Sequence, residues 1–234
     1  MRSRKGGLTV VFSLLFAIAF LSFASAEIFI SPPKPIYNIG DNFDLTITIQ
    51  PSQIASGFFL TALVCQEGEV EIYKSPYTLF PGDKKEILIS TTFGNFLTQG
   101  REGECYIRST FDNDIEESQV FELSRKIDVS LNVNGIVFSP GDTVTLTGKA
   151  IKSNGEPLNG FVEIQVSGTN YKAMGEAANG DFSFTFSVPE NAKSGAREIT
   201  AVAYEKDVEG TTINEGSTSN ILKIRQILKE IDIA

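Results

Sequence analysis

Two stretches of this chain match two later ones at a single fixed offset. Tyr37-Asn38-Ile39-Gly40-Asp41 lines up with Phe138-Ser139-Pro140-Gly141-Asp142, and Ser118-Gln119-Val120-Phe121-Glu122-Leu123 with Ser219-Asn220-Ile221-Leu222-Lys223-Ile224. Both shifts are 101 residues (138 less 37, and 219 less 118). A constant offset across a whole unit marks tandem modules, each of which must bury its own apolar face. The opening of the second copy, Ile127-Asp128-Val129-Ser130, returns as Ile231-Asp232-Ile233-Ala234. The chain therefore reads as two full units, residues 27–126 and 127–226, and a segment 227–234 that is a linker or the start of a further module.

Residues 1–26 are expected to lie outside the fold. Arg2, Arg4 and Lys5 precede an apolar run from Leu8 to Phe23, and Ala24-Ser25-Ala26 supplies small residues where an export peptidase reads. This is the pattern of a signal peptide cleaved before Glu27, with an uncleaved membrane anchor as the alternative. Cleavage leaves 208 of the 234 residues, which suits two domains of about 100 each. It also removes three positive charges, taking the formal charge from −9 to −12. An acidic surface without basic clusters argues against nucleic acid and anionic lipid as partners.

Period-two alternation dominates the rest. Phe43, Leu45, Ile47 and Ile49 alternate with Asp44, Thr46 and Thr48; Phe182, Phe184, Phe186 and Val188 alternate with Ser183, Thr185 and Ser187. Such runs are half-buried strands. Between them stand turn signals: Pro81-Gly82-Asp83, Pro140-Gly141-Asp142, Asn154-Gly155 and Asn179-Gly180-Asp181. The pattern predicts an all-β protein of two tandem seven-stranded Greek-key β-sandwiches. The first copy has strand segments near 28–31, 42–50, 57–65, 69–73, 85–92, 104–111 and 119–124; the second has them near 127–133, 142–150, 161–167, 170–177, 181–188, 197–205 and 218–226. Only three residues, Ser124-Arg125-Lys126, separate Leu123 from Ile127, so the sandwiches are expected to meet end to end with limited freedom. After Ile224, a strand running on into a linker is favoured over a short helix through Ile227, Leu228 and Ile231.

Cys65 and Cys105 both fall in the first copy. In an exported chain, two cysteines in strand-like segments predict one disulfide. The alternatives are metal ligation, which a chain without histidine could hardly complete, and two buried thiols. Cys105, Ile107 and Phe111 share a face, so the bridge is expected in the core, linking the two sheets. The second copy has no cysteine, so the fold does not require it.

The second copy carries the more distinctive motifs: Ser139-Pro140-Gly141-Asp142-Thr143-Val144-Thr145-Leu146-Thr147, Asn154-Gly155-Glu156-Pro157-Leu158-Asn159-Gly160-Phe161-Val162-Glu163-Ile164, Asn179-Gly180-Asp181-Phe182-Ser183-Phe184-Thr185-Phe186, Val188-Pro189 and Gly195. These resemble the bacterial Ig-like, macroglobulin-like and carboxypeptidase-regulatory-like sandwiches found in tandem in exported prokaryotic proteins. The likeness spans most of residues 127–226, and in residues 27–126 it rests on the opening motif and the strand count. It implies a non-catalytic extracellular module and fixes no ligand. The Gly-Cys-Gly-Glu-Gln thioester motif of protease-trapping macroglobulins is absent, and so is the tryptophan of antibody-type domains.

The residues offer little to catalysis. Without histidine, Ser-His-Asp and Cys-His sites cannot form within the chain, and no phosphate-binding glycine loop follows a strand. A carboxylate-only glycosidase is compatible with the composition, but small sandwiches offer no obvious deep cleft. The chain is therefore expected to be no enzyme and to need no cofactor. The densest oxygen cluster, Asp112, Asp114 and Glu116, is a weak calcium candidate whose ordinary alternative is an acidic hairpin turn. Tyr73, Tyr77 and Phe80, with Phe58 or Phe59, could form a sugar-stacking platform, although core packing is the commoner fate of such residues.

The expectation is an exported cell-surface or secreted protein with a structural or adhesive role. Its partners would be other envelope or extracellular proteins, itself, or a glycan, with no nucleic acid, and with membrane contact only through an uncleaved N-terminal segment. Three alternatives stand beside it: a glycan- or peptide-binding module, a pilus-like filament subunit that adds its last strand to a neighbour, and a non-catalytic part of a larger exported enzyme.

Overall fold

A computed structural model describes residues 26–225. Residues 1–25 of the predicted signal peptide and the tail beyond Arg225, including Ile231–Ala234, lie outside the described residues; Ala26, expected outside the fold as the last residue of that peptide, instead begins β1, where it pairs with Pro51 and is buried. The chain runs β1 (Ala26–Ile30), β2 (Ile36–Asn38), β3 (Asn42–Pro51), β4 (Ala55–Cys65), β5 (Gly68–Leu79), β6 (Lys85–Thr92), a single helical turn α1 (Asn95–Thr98), β7 (Gly103–Phe111), β8 (Asp114–Glu117) and β9 (Phe121–Ser124). It continues through β10 (Ile127–Val133), β11 (Val137–Phe138), β12 (Thr143–Lys152), β13 (Gly160–Val166), β14 (Lys172–Ala177), β15 (Asp181–Ser187), β16 (Gly195–Lys206) and β17 (Thr212–Ile224).

These strands form two sheet pairs. The upstream pair sets β1-β3-β6 against β2-β9-β7-β4-β5, with β8 also on β7; the downstream pair sets β10-β12-β15 against β11-β17-β16-β13-β14. Each pair encloses its own apolar cluster. Phe43, Phe59, Phe93, Ile107 and Phe111 are fully buried in the first, and Val144, Leu146, Ile164 and Ile199 in the second. Each such side chain contributes about 1.5–3 kcal/mol by leaving water.

The 101-residue repeat is a repeat of register. Ala26 pairs with Pro51 and Ile127 with Lys152; Ile36 pairs with Glu122 and Val137 with Lys223, the last two in parallel. Seven strands per copy were expected, whereas nine and eight are found. The short parallel strands β2 and β11 are too brief to show alternation. The last strand of the first copy is also broken in two: Ser118 turns its hydroxyl into the ladder, accepting from the Ile107 N–H at 2.9 Å, so β8 and β9 replace the single segment 119–124.

Turn chemistry was legible. Three loops share one construction, in which an aspartate carboxylate accepts the N–H three residues earlier: Asn38 to Asp41 (2.7 Å), Phe80 to Asp83 (2.8 Å) and Ser139 to Asp142 (2.6 Å). A glycine at positive φ precedes each aspartate, as the left-handed third position of such a turn demands (Gly40, Gly82, Gly141). Asn179-Gly180 forms a tight turn as expected, both residues at positive φ, but it carries the chain from one sheet to the facing one.

At Gly216, β17 passes so close to β10 that an added Cβ would stand 1.8 Å from the Ile127 carbonyl oxygen. Gly216→Ala is expected to destabilise the downstream pair by about 1–3 kcal/mol, because backbone cannot yield as a flexible side chain can. Denaturant unfolding measures this, and an unchanged midpoint would show that the strands separate freely there.

Candidate functional site

Three buried polar side chains, Asn38, Asp41 and Asn214, meet where the two sheet pairs join. The upstream floor of this junction is propped by aromatic rings. Tyr37, 2% exposed, meets Phe43, Phe93 and Phe121 edge-on at 5.1–5.5 Å, and its hydroxyl accepts the Lys34 N–H at 2.9 Å. The loop that follows, residues 38–41, is thus held from beneath. The downstream roof is made by the turn after β12, around Asn154-Gly155, and by the β16–β17 ends.

Asn38 and Asn214 are 0% and 1% exposed. Asn38 Nδ2 donates to the Lys126 carbonyl (3.1 Å) and to Asn214 Oδ1 (3.2 Å), while its own Oδ1 accepts the Asn154 N–H (3.0 Å). Asn214 Nδ2 donates to the Ile39 carbonyl and to Glu205 Oε2, both at 2.7 Å. These two amides use most of their hydrogen-bonding capacity, as buried amides must. The Asp41 carboxylate accepts from Asn154 Nδ2 (2.6 Å) and from Lys152 Nζ (3.2 Å), in addition to its own loop.

Lys152 is the charged centre. Its side chain is 10% exposed and stands 3.2, 3.4 and 4.0 Å from carboxylates of Asp41, Glu156 and Glu205. Burial is the largest single influence on its pKa and pulls it down, but the three carboxylates together outweigh it, so the pKa lies above the ordinary lysine value. A lysine held protonated in this way is an anchor rather than a nucleophile. Arg125 closes the seam, donating to the Ile213 carbonyl (3.2 Å) and Asn95 Oδ1 (2.8 Å), and Glu215 N–H donates to the Arg125 carbonyl (2.8 Å). Ile213 of β17 is buried within the upstream cluster. A cleft of about 470 Å³ beside the seam is lined by Gly40, Asn95, Phe96, Asp207, Val208 and Ile213.

The residues singled out from sequence are placed elsewhere. Cys65 and Cys105 are bonded, as expected, and both face the core. Their placement differs from expectation: β4 and β7 are neighbours in one sheet and the two cysteines stand directly opposite, Cα atoms 4.2 Å apart, so the bridge does not link the two sheets. Alternation fixed the face of each strand but could not say which sheet β4 joins.

Asp112 and Asn113 form the two-residue turn of the β7–β8 hairpin, and Asp114 accepts the Ala26 N–H. Among the described residues no three carboxylate, cysteine or histidine side chains gather to hold a metal, so Asp112, Asp114 and Glu116 are not brought together as a calcium site. Nor does the aromatic platform assemble. Tyr73 and Tyr77 join hydroxyls at 2.8 Å and lean on buried Phe59, whereas Phe58 points outward under Lys74. Phe80 is about half exposed.

No sequence signal marked Asn38, Asp41, Lys152 or Asn214 as partners. Asn38 and Asn214 are 176 residues apart, and the only hint was the short connection at residues 124–126.

No protein-family model matches the chain and no curated protein matches it in sequence. Among solved structures it is similar to a β-glucosidase from Listeria innocua, with 14% identity over 43% of this chain and 16% of that one and a TM-score of 0.36. It is similar to red sea bream transglutaminase at 12% identity over 95% and 34%, TM-score 0.36. The E. coli alpha-2-macroglobulin is similar at 13% identity over 86% and 17%, TM-score 0.37. The chain thus spans about a third or less of the length of these proteins. Likeness at this level assigns neither a family nor an activity.

Proposed function

We propose that this is a non-catalytic, exported structural or adhesive protein: two Ig-like sandwiches fixed end to end as a short stiff rod that spaces or presents other envelope components. The observation that carries the reading is the seam between the sheet pairs. Domain interfaces within a chain usually permit relative motion. Here two buried asparagines and the pair of Asp41 with a lysine shielded from water bridge the joint, with Glu156 and Glu205 beside the lysine on its own side. Any rotation would strand polar groups away from water, at about 1–3 kcal/mol for each one left unpaired. The two sheet orders, each a three-stranded sheet facing a longer one edged by a short parallel strand, support the Ig-like assignment. The disulfide, together with the lack of any long apolar helix among the described residues, fits export.

Residual dipolar couplings test the rod. One alignment tensor should fit amides of both sheet pairs; two tensors of different magnitude would show independent tumbling and sink the reading. Export is tested by non-reduced intact mass from envelope and medium fractions. The expected mass is that of residues 27–234 less two hydrogens, and a protein confined to the cytosol with free thiols would overturn it.

A further inference from the structure

The geometry points to a second socket: the Ser139–Asp142 end of the downstream pair is a docking surface for a further β-sandwich module that presents a lysine from the end of its second long strand. This extends the rod reading above and rests on it. Two equivalent loops differ: among the described residues the first is covered by the next sheet pair and the second is exposed.

Four hydrogen bonds recur with the same atoms. Asn38 N–H and Ser139 N–H donate to the aspartate carboxylates; Asp41 N–H and Asp142 N–H donate to the Asn38 and Ser139 carbonyls, both at 3.0 Å. Gly40 and Gly141 N–H groups donate to the Phe93 and Val188 carbonyls, and Phe93 and Val188 N–H groups donate back to the Asp41 and Asp142 carbonyls, all at 2.9 Å. The loop of the first copy carries the next sheet pair, with Asp41 holding Lys152 and Asn154. In the second copy Gly141 and Asp142 are exposed, and among the described residues only the loop's own Ser139 N–H is seen to donate to the Asp142 carboxylate.

The exposed loop also says what it would take. Over Gly40 lies the Ile213 side chain; over Gly141 lies the Glu190 carboxylate, each 2.9 Å from where a Cβ would be. A second carboxylate therefore stands where the covered loop has an apolar contact, and the pair Asp142 and Glu190 calls for a cation. Arg225 donates its Nε–H to the Ser139 hydroxyl at 3.0 Å, and among the described residues it forms no ion pair with Asp142 or Glu190. A second copy of this chain does not offer the cation: 101 residues before Lys152 and Asn154 stand Pro51 and Gln53. The fitting occupant is another sandwich with the Lys-x-Asn turn.

The test is a chain in which Arg225 is followed by a second copy of residues 125–225, with residues 226–234 kept at the end. Spin labels at Glu86, Lys149 and the appended Lys149, all on exposed side chains, report distances across both junctions. Both distributions should be narrow, and Asp142→Ala should broaden only the second. Asp142→Lys should do the same, and pairing it with Lys152→Asp in the appended copy should restore the narrow distribution, an outcome that a misfolded variant would not give. A narrow first junction with a broad second one, whatever stands at 142, would overturn the socket and leave the rod intact. Two broad junctions would overturn the rod reading as well. Head-to-tail association of the unaltered chain, abolished by Asp142→Ala in sedimentation, would overturn the choice of occupant.

Discussion

Removing the Cys65–Cys105 bridge should split the melting of this protein into two well-separated steps. The bond closes a loop of sequence separation 40 that holds β5, β6 and α1, and so constrains much of the upstream chain when it is unfolded. In the chain-entropy account, a loop of that length is worth about 4 kcal/mol. For a domain of about 100 residues this lowers the melting temperature by about 15–30 °C. The native packing should tolerate the loss. Val166 and Ile199, 101 and 94 positions on, occupy the same paired place in the downstream sheet, both buried, so an unlinked apolar pair fits this position. The double variant Cys65→Ala/Cys105→Ala is therefore expected to keep its strands and lose stability in the upstream pair alone. Calorimetry with and without reductant reads this directly: the upstream transition drops and the downstream one moves much less. A single transition that shifts as a whole would show that the junction makes both pairs one cooperative unit. No shift would mean that the unfolded chain is already constrained there.

What was legible in the sequence follows from the range of the forces involved. Strand faces are set by alternation between adjacent residues, and Phe43, Leu45, Ile47 and Ile49 are all buried as their spacing demands. Turns are set by φ preferences within four residues, so the Pro-Gly-Asp and Asn-Gly signals gave the correct places. The repeat gave the register of one copy from the other. Failures begin where the outcome depends on which strands meet. The inward faces of Cys65 and Cys105 could be read, but not their common sheet. Tyr73 and Tyr77 looked like a platform because their spacing of four is the same whether they face solvent or lean over Phe59. The junction was the least legible. Its members come from β2, from the turn after β12 and from β17, and each looks like an ordinary polar residue until the chain brings them together. Asp41 belongs to a turn motif that recurs at Asp83 and Asp142, yet only at Asp41 is a buried lysine seen on it. Local sequence encodes the turn; the partner comes from the tertiary structure.

That partnership predicts the largest single-residue effect at the seam. Asp41→Ala should cost about 3 kcal/mol, the lower end of the range for breaking a buried pair, because Glu156 and Glu205 still face the lysine. It also strands the Asn38 N–H and one Asn154 amide hydrogen, which now find that carboxylate at 2.7 and 2.6 Å. Lys152→Met should cost less, about 1 kcal/mol, since Asp41 keeps those two donors and the aliphatic stem is replaced in kind. The order of the two effects identifies the Asp41 carboxylate, which serves Lys152, Asn38 and Asn154 at once, as the group on which the joint depends most. Solution pH offers the same test without mutation. A lysine whose folded pKa is raised stabilises the joint fully below its unfolded value, and that stabilisation fades as pH rises through the folded value. The seam should therefore hold unchanged from neutral to mildly alkaline pH and loosen only in strongly alkaline solution. Salt should matter little, because the pair is shielded from solvent, unlike Lys149–Asp181, whose side chains are 68% and 65% exposed. Two-tensor behaviour in Asp41→Ala at neutral pH, with each sheet pair still folded, is the expected dipolar-coupling result. If Asp41→Ala keeps one tensor and full stability, the joint is held by the Ile213 contact and the short connection alone, and the polar seam is incidental to it.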